Sequence, residues 1–361
     1  TEVMMSGNLG GLAYNYAKYL RRKKVDVHLF LWDWEMDAET RNPLLHDISS
    51  FPDWIHSFSK SNISFREYRK VAKDFDIVHS LNTDPIFAQF CGRPFISHPC
   101  GSDARVFAFE NGIYPLLYRR AFKKNHAFFF SQLDYYKNVF PKLTIKRPEF
   151  IPHILPDDIE VNTADGIPER DGVEELFFHP SSHIHGTQGN VKGNDILIKA
   201  FAKYVKDFTP SAKMIMIDWG QDAESSKRLV KELDISEHVI LKKKLSKNEY
   251  YTYIHFSDVV FDQFVVPSSS VIQMEACSLG KPVVKFMDDE WFRLYDKMPF
   301  VSAGSVNEIY QVLVDYHKDP DKYLALGSFA REFVKRNHSW EVVTGKIIKV
   351  YEQMLHGRSV N

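Results

Sequence analysis

The chain has 361 residues, 44% of them hydrophobic, which is more than one ordinary core holds and fits two α/β domains. Its 46 basic and 47 acidic side chains nearly cancel, which excludes a global field able to gather nucleic acid, so any anion site must be local. Three cysteines, Cys91, Cys100 and Cys277, are odd in number and form no CxxC pair, which excludes a disulfide framework and points to a reducing, cytoplasmic compartment.

The chain opens as a strand over Glu2–Ser6 rather than as a signal peptide, and no apolar run reaches the ~18 residues of a membrane span. The turn Ser6-Gly7-Asn8-Leu9-Gly10-Gly11 follows, then a helix with Leu12, Tyr16, Tyr19 and Leu20 on one stripe. An alternating strand over Val25–Leu31 completes a βαβ unit. Further short apolar strands are expected at Asp76–Ser80, Arg93–Ser97 and Ala127–Ser131, the pattern of a buried parallel sheet. Between them Tyr114–Lys124 mixes aromatic and basic residues at helical spacing. Such a face is able to rest on an anionic membrane or meet a phosphorylated lipid, or it is an ordinary amphipathic helix with a solvated basic side.

Pro156–Asp171, with two prolines, a glycine and several acids, reads as a linker, so a first domain is expected over 1–160. A second domain over 161–338 has expected strands at Glu175–His179, Lys213–Asp218, His238–Lys242, Asp258–Asp262 and Pro282–Phe286. Its first helix carries Ile196, Leu197, Ala200, Phe201, Tyr204 and Val205 on one stripe, and another helix begins at Ser270. Over 339–361, Ser339 caps a closing helix with Val343, Ile347, Val350, Tyr351 and Met354 on one face.

The segment from Phe261 to Val284 carries the most chemistry. After a strand, Ser268, Ser269 and Ser270, with Val271 behind them, open a helix whose unpaired N–H groups and dipole suit a phosphate. Glu275, about one and a half turns in, is either a carboxylate for two neighbouring sugar hydroxyls, ribose being the natural candidate, or an exposed glutamate. Upstream, Lys192 precedes a helix and is either a phosphate ligand or a solvated lysine. His179, His183 and His185 lack the cysteines or spaced carboxylates of a metal site, so no metal is expected. A Gly-x-Ser-x-Gly elbow and a full Gly-x-Gly-x-x-Gly fingerprint are both missing, against a serine hydrolase and a dinucleotide-binding dehydrogenase.

This segment resembles the donor-site signature of family 4 retaining glycosyltransferases, in which Glu-x7-Glu is followed by an Ala-x-x-x-Gly-x-Pro-Val tail. Glu275 matches the second glutamate, and Ala276, Gly280, Pro282 and Val283 match the tail. The first glutamate is Pro267 in this chain, with Gln263 and Asp262 able to reach the same space from the strand end. Val191–Phe201 resembles the family's Lys-Gly-x-Asp-x-Leu-Ile-x-Ala segment, which implies that Lys192 binds the donor diphosphate. No arginine stands shortly before it, leaving His183, His185 or backbone amides to complete the clamp.

In the first domain, Gly7–Gly11 resembles the family's glycine-rich loop, implying that Gly10 and Gly11 approach donor phosphate or acceptor. Ser97–Arg105 resembles its strand-end histidine with a Gly-Ser-Asp turn, placing His98 near the transferred sugar; a buried, backbone-bonded His98 and an Asp103 that merely caps a helix are the other readings. Trp219-Gly220 resembles the loop near the nucleotide base. The resemblance implies a GT-B fold, α/β with two Rossmann-like domains facing across a cleft and a C-terminal helix crossing back to the first. It implies metal-independent transfer, with retention, from a nucleotide-diphosphate sugar to a glycan, lipid-linked or other hydroxyl acceptor in polysaccharide or glycoconjugate biosynthesis. Lys192, His98 and Glu275 take the catalytic roles, and Gly10, Gly11, Gly220, Gln263, Ser268, Ser269, Ser270 and Val271 join Glu275 around the donor. Pro267 and the missing arginine leave, as the competing reading, a silent protein of the same fold that binds a nucleotide sugar or a partner enzyme.

Overall fold

The computed structural model describes residues 1–8, 11–32, 35, 51–58, 64–157, 159, 161–164, 166–186, 191–208 and 211–356. The chain divides into two compact units, Thr1–Pro156 with Asn337–Asn361, and Asp157–Arg336.

The first unit is built on strands β1 (Glu2–Ser6), β2 (Asp26–Leu31), β3 (Ile55–Ser57), β4 (Ile77–Leu81), β5 (Phe95–His98), β6 (Ala127–Phe130) and β7 (Pro148–Phe150). They form one sheet in the order β3-β2-β1-β4-β5-β6-β7, every pairing parallel. Parallel strands covered on both faces must be apolar along their length, and Val3, Met4 and Met5 of β1 are fully buried. The expected strands lie within a residue or two of these positions. Strands β3 and β7 were not legible, because each is three residues long and sits at an edge, where polar residues and Pro148 are tolerated.

The closing helix, Trp340–His356, belongs to this unit. Its stripe of Val343, Ile347, Val350, Tyr351 and Met354 enters the same core as Val3, Leu12 and Tyr16, and Trp340 stacks on Tyr19 at 5.4 Å. A helix that far along the chain completes the first core because its apolar face has no other cover of that size.

The second unit holds β8 (Glu175–His179), β9 (Ala212–Ile217), β10 (Val239–Lys242), β11 (Val259–Phe261), β12 (Val283–Lys285) and β13 (Val301–Ser302), in the order β10-β9-β8-β11-β12-β13, again all parallel. The helix Asn194–Phe208 buries Leu197, Ala200, Phe201, Tyr204 and Val205 as the stripe predicts, while Ile196 is only half-buried. The two-residue β13 is too short to carry a periodic signal. Among the described residues no helix is long and apolar enough to cross a membrane.

In each sheet the chain order reverses once, between β1 and β4 and between β8 and β11. At such a reversal the two neighbouring connections leave in opposite directions and open a crevice beyond the carboxyl ends of the strands. The helix that follows β11, Val271–Ser278, is held from outside by a close backbone approach: a Cβ on Gly327, within the helix Pro320–His338, would lie 2.1 Å from the Gly280 carbonyl oxygen. Gly327→Ala is therefore expected to destabilise the protein by about 1–3 kcal/mol from overpacking, opposing the ~1 kcal/mol that alanine gains over glycine in a helix. Urea unfolding checks this, and a more stable variant would contradict the packing described.

Candidate active site

At the reversal in the second sheet, β8 ends in His179 and β11 leads into Asp262 and Gln263, all buried. The His179 ring fixes the crevice floor: Nδ1 donates to the Phe261 carbonyl at 2.8 Å, and Nε2 accepts from the Asn194 amide at 2.7 Å. Burial drives the His179 pKa down to about 4, which keeps the ring neutral and able to play both parts.

Lys192 reaches this crevice from the loop before the helix Asn194–Phe208. Its carbonyl accepts from the Phe264 N–H at 2.8 Å, and its ammonium donates to Gln263 Oε1 at 2.7 Å. The Gln263 amide nitrogen in turn donates to Ser268 Oγ at 2.7 Å and to the Ser268 carbonyl at 3.0 Å. Thus the lysine and the serine-headed helix, 76 positions apart at Lys192 and Ser268 by subtraction, meet through one amide side chain. Gly193 follows at φ 77°, where a Cβ would press on Phe264 and Val265 at 3.1 Å, so glycine lets the lysine loop lie against the strand end.

The serines are less available than their sequence suggests. Ser270 caps its helix by accepting from the Gln273 N–H at 3.0 Å, and it donates to Asp262 Oδ2 at 2.5 Å; Ser181 donates to the other Asp262 oxygen at 3.1 Å. Ser270 thus spends its hydroxyl on Asp262 and on its own helix start, while Ser268 accepts from Gln263, because short side chains at a helix start find nearby partners first. What the cap leaves open are the N–H groups of Val271 and Ile272, which have no acceptor among the described residues.

Glu275 is 3% exposed, so the reading of an exposed surface glutamate is overturned. Its Oε1 pairs with Lys247 Nζ at 2.6 Å and accepts from the Tyr251 hydroxyl at 3.0 Å, while Oε2 has no donor among the described residues. His183 and His185 do not reach Lys192's ammonium in any hydrogen bond observed; both rings bond to the Ser226 hydroxyl, at 2.6 and 2.7 Å. Gly220 packs against His183: at φ 107° an added Cβ would sit 2.4 Å from the His183 nitrogen, which only glycine avoids. Trp219 beside it is 38% exposed and donates Nε1–H to the Pro180 carbonyl at 3.1 Å, leaving a ring face at the surface. Among the described residues no group of three His, Cys, Asp or Glu side chains is arranged to hold a metal ion.

Sequence reasoning missed Lys285. This lysine of β12 is fully buried, bonded to the Ser268 carbonyl and Gln273 Oε1, and 3.8 Å from Asp262. Burial lowers its pKa to about 8. A lysine inside Val283-Val284-Lys285-Phe286 was the available signal, since a charge within a buried strand demands a partner.

At the reversal in the first sheet, Gly7 leaves β1 at φ 82°, with its Cβ position 3.0 Å from the Leu81 carbonyl oxygen. Gly11, at φ 75°, precedes the helix Leu12–Arg22; Gly10 lies outside the described residues. His98, the last residue of β5, is fully buried, and its partner is a side chain rather than backbone: Nδ1 bonds to His79 Nε2 at 3.0 Å. Asp103 accepts from the N–H groups of Cys100, Gly101 and Ala104 at 2.7–3.0 Å and from the Tyr118 hydroxyl at 3.1 Å, a turn-holding role.

Residues 185–289 match the family described as Glycosyl transferases group 1. This group 1 segment contains Lys192, Gly220, Gln263, Ser268–Ser270 and Glu275, together with Lys285. No curated protein matches the chain. Among solved structures, Anabaena HepE in complex with UDP and glucose superposes with a TM-score of 0.74 at 13% identity, covering 98% of this chain and 99% of that one. Sucrose-phosphate synthase from Thermosynechococcus elongatus gives 0.69 at 11% identity over 99% and 100%, and a glycosyltransferase from Rickettsia africae gives 0.69 at 15% over 98% of each. The fold is therefore that of GT-B glycosyltransferases.

Four buried histidines are expected to make the protein acid-sensitive. Burial lowers His79 and His338 to about 3, and His179 and His183 to about 4. The unfolded chain takes up these protons near pH 6.5 and the folded protein refuses them until pH 3–4, so the stability they carry is full above 6.5 and is lost as pH falls through this window. Each is worth on the order of 3–5 kcal/mol at the acid end. The Tm is expected to fall steadily from pH 6.5 to 4, beginning above the carboxylate range; a flat profile down to pH 5 would contradict it.

Proposed function

We propose that the protein transfers a sugar from a nucleotide-diphosphate sugar to a hydroxyl acceptor, with retention of configuration and without a metal ion. The observation that carries this reading is the chain Lys192–Gln263–Ser268 at the head of the helix Val271–Ser278, inside the group 1 segment. An ammonium and a helix N-terminus converging on one crevice supply the countercharge that a departing pyrophosphate needs. HepE is a structure with UDP and glucose bound, which supports a nucleotide-diphosphate sugar as the donor class.

In this mechanism the donor diphosphate lies against the N–H groups of Val271 and Ile272, with the Lys192 ammonium beside the leaving oxygen. Gln263 holds the lysine in place, so its charge is oriented before the bond breaks rather than during breakage. Glu275 Oε2 accepts from ribose hydroxyls, and Trp219 and Gly220 border the base. His98 meets the transferred sugar. The acceptor hydroxyl approaches the face the diphosphate leaves, and the departing phosphate oxygen takes its proton. Pro267, standing where the resembled family has glutamate, favours one alternative, a silent protein that binds nucleotide sugar without transfer.

Lys192→Ala is expected to lower kcat by roughly 10²- to 10³-fold, the usual loss when one transition-state donor is removed. It should also abolish the rise in Tm that the true donor gives in a nucleotide-sugar panel, as should Glu275→Ala. Donor binding in the wild type with neither hydrolysis nor transfer selects the silent protein; a full thermal shift in Lys192→Ala removes the diphosphate assignment.

The acceptor is a glycan or a lipid-linked glycan, in polysaccharide or glycoconjugate biosynthesis, and the enzyme works at the cytoplasmic membrane face. Support comes from the first unit's surface, where Phe109, Ile113, Tyr114 and Leu116 are 38%, 61%, 54% and 52% exposed at the start of the helix Ile113–Lys124. Arg120 lies over the exposed Phe90 ring at 5.3 Å and Lys142 over Phe109 at 5.3 Å, and Glu110 is the only acid from Phe109 to Lys124. Apolar tips beside cations suit an anionic bilayer, at about 1 kcal/mol per basic residue near the surface. Arg120→Glu with Lys123→Glu should sharply reduce co-sedimentation with phosphatidylglycerol vesicles, and equal sedimentation of variant and wild type would remove the membrane contact.

A further inference from the structure

A buried chain of three polar side chains ends at His98. Tyr351, on the closing helix, bonds through its hydroxyl to His79 Nδ1 at 2.7 Å, and His79 Nε2 bonds to His98 Nδ1 at 3.0 Å. Tyr351 is 2% exposed and both imidazoles are fully buried. The two rings stack at 5.2 Å and 15°, with the Phe129 edge against both and Tyr16 over His98. His98 Nε2, at the far end, has no hydrogen-bond partner among the described residues.

Burial lowers both histidine pKa values, His79 to about 3, and raises that of the Tyr351 phenol, so each imidazole carries one N–H and the phenol keeps its proton. Two proton arrangements fit the distances. In one, Tyr351 O–H donates to His79 Nδ1, His79 Nε2–H donates to His98 Nδ1, and His98 carries its proton on Nε2. In the other every bond is reversed: His98 Nδ1–H donates to His79 Nε2, His79 Nδ1–H donates to the phenol oxygen, and His98 Nε2 is a bare lone pair. The reversed chain strands the phenol proton, which has no other acceptor among the described residues, as well as His98 Nε2. The forward chain also leaves one donor unmet, His98 Nε2–H, so the two differ in the quality of the bond at Tyr351: a phenol is the stronger donor and an imidazole nitrogen the stronger acceptor, and the forward chain prevails because it pairs them.

We propose that Tyr351 and His79 are positioning residues that hold His98 as the Nε2–H tautomer, so that it presents one neutral hydrogen-bond donor to an oxygen of the transferred sugar. The sugar as recipient rests on the function proposed above; the tautomer does not. A neutral donor fixed in this way orients a sugar oxygen and exchanges no proton with it, and it gives the closing helix a part in the site of the first unit.

The test reads the tautomer directly. In a long-range ¹H–¹⁵N spectrum of the full chain labelled at histidine, wild-type His98 is expected to be protonated on Nε2 and bare on Nδ1 at neutral pH. In Tyr351→Phe the two arrangements strand equal numbers of donors and acceptors, so His98 should become a mixture of tautomers. Protonation of wild-type His98 on Nδ1, or an unchanged tautomer in Tyr351→Phe, overturns the proposal. In activity, His98→Gln, whose amide N–H reaches about as far as Nε2, should remain within roughly tenfold of wild type, and His98→Phe should fall about a hundredfold. Equal loss in both overturns the donor role. A wild-type chain with the expected tautomer and no transfer to any acceptor would sink the transferase reading and leave the tautomer assignment standing.

Discussion

The hydrogen bond from Lys192 to Gln263 is the constraint on which the crevice of the second unit depends. A lysine on a loop is a mobile, hydrated charge, and in the proposed function its value to a departing pyrophosphate comes only when it is held where negative charge develops. Gln263 does this holding because it stands at the end of a buried strand and grips Ser268 with its other end. The same strand end carries Asp262, which ties Ser181 and Ser270 together and faces the buried Lys285. One short strand, Val259–Phe261, thereby positions a cation, a helix start and a buried ion pair.

The charge distribution around that strand follows from burial. Lys285 is fully buried, so Asp262, the Ser268 carbonyl and Gln273 stand in for hydration. Glu275 is likewise withdrawn, compensated on one oxygen by Lys247 and Tyr251 and uncompensated on the other. In the first unit, His79, His98 and Tyr351 form a neutral chain rather than a charged one, because burial penalises a protonated imidazole there. Among the orphaned polar atoms of the described residues are His98 Nε2 and Glu275 Oε2, the two groups to which the proposed function gives the sugar and the ribose.

Much of the fold was legible in the residues themselves. Central strands such as Glu2–Ser6 and Glu175–His179 are apolar throughout, and the helices between them repeat with their own period, so alternation of the two implied parallel sheets. Edges were not legible: Ile55–Ser57, Pro148–Phe150 and Val301–Ser302 are too short and too polar to differ from loops. At the crevice of the second unit, Lys192, Gln263 and the serine run could be named from pattern, and Lys285 left a signal in its apolar strand, whereas the partners Asn194 and Lys247 could not be named, since no local pattern says which distant side chains will meet.

By itself the sequence determined the class of architecture, the closing helix's apolar face and the anion-friendly helix start, because each depends on residue periodicity or on groups within a few positions of one another. Only the tertiary structure decided that Ser270 is occupied by Asp262, that Glu275 is shielded by Lys247, and that Tyr351 is bonded to His79 across 272 positions of chain. Those outcomes turn on which side chains lose water together, and desolvation is a property of the packed chain rather than of any stretch of it.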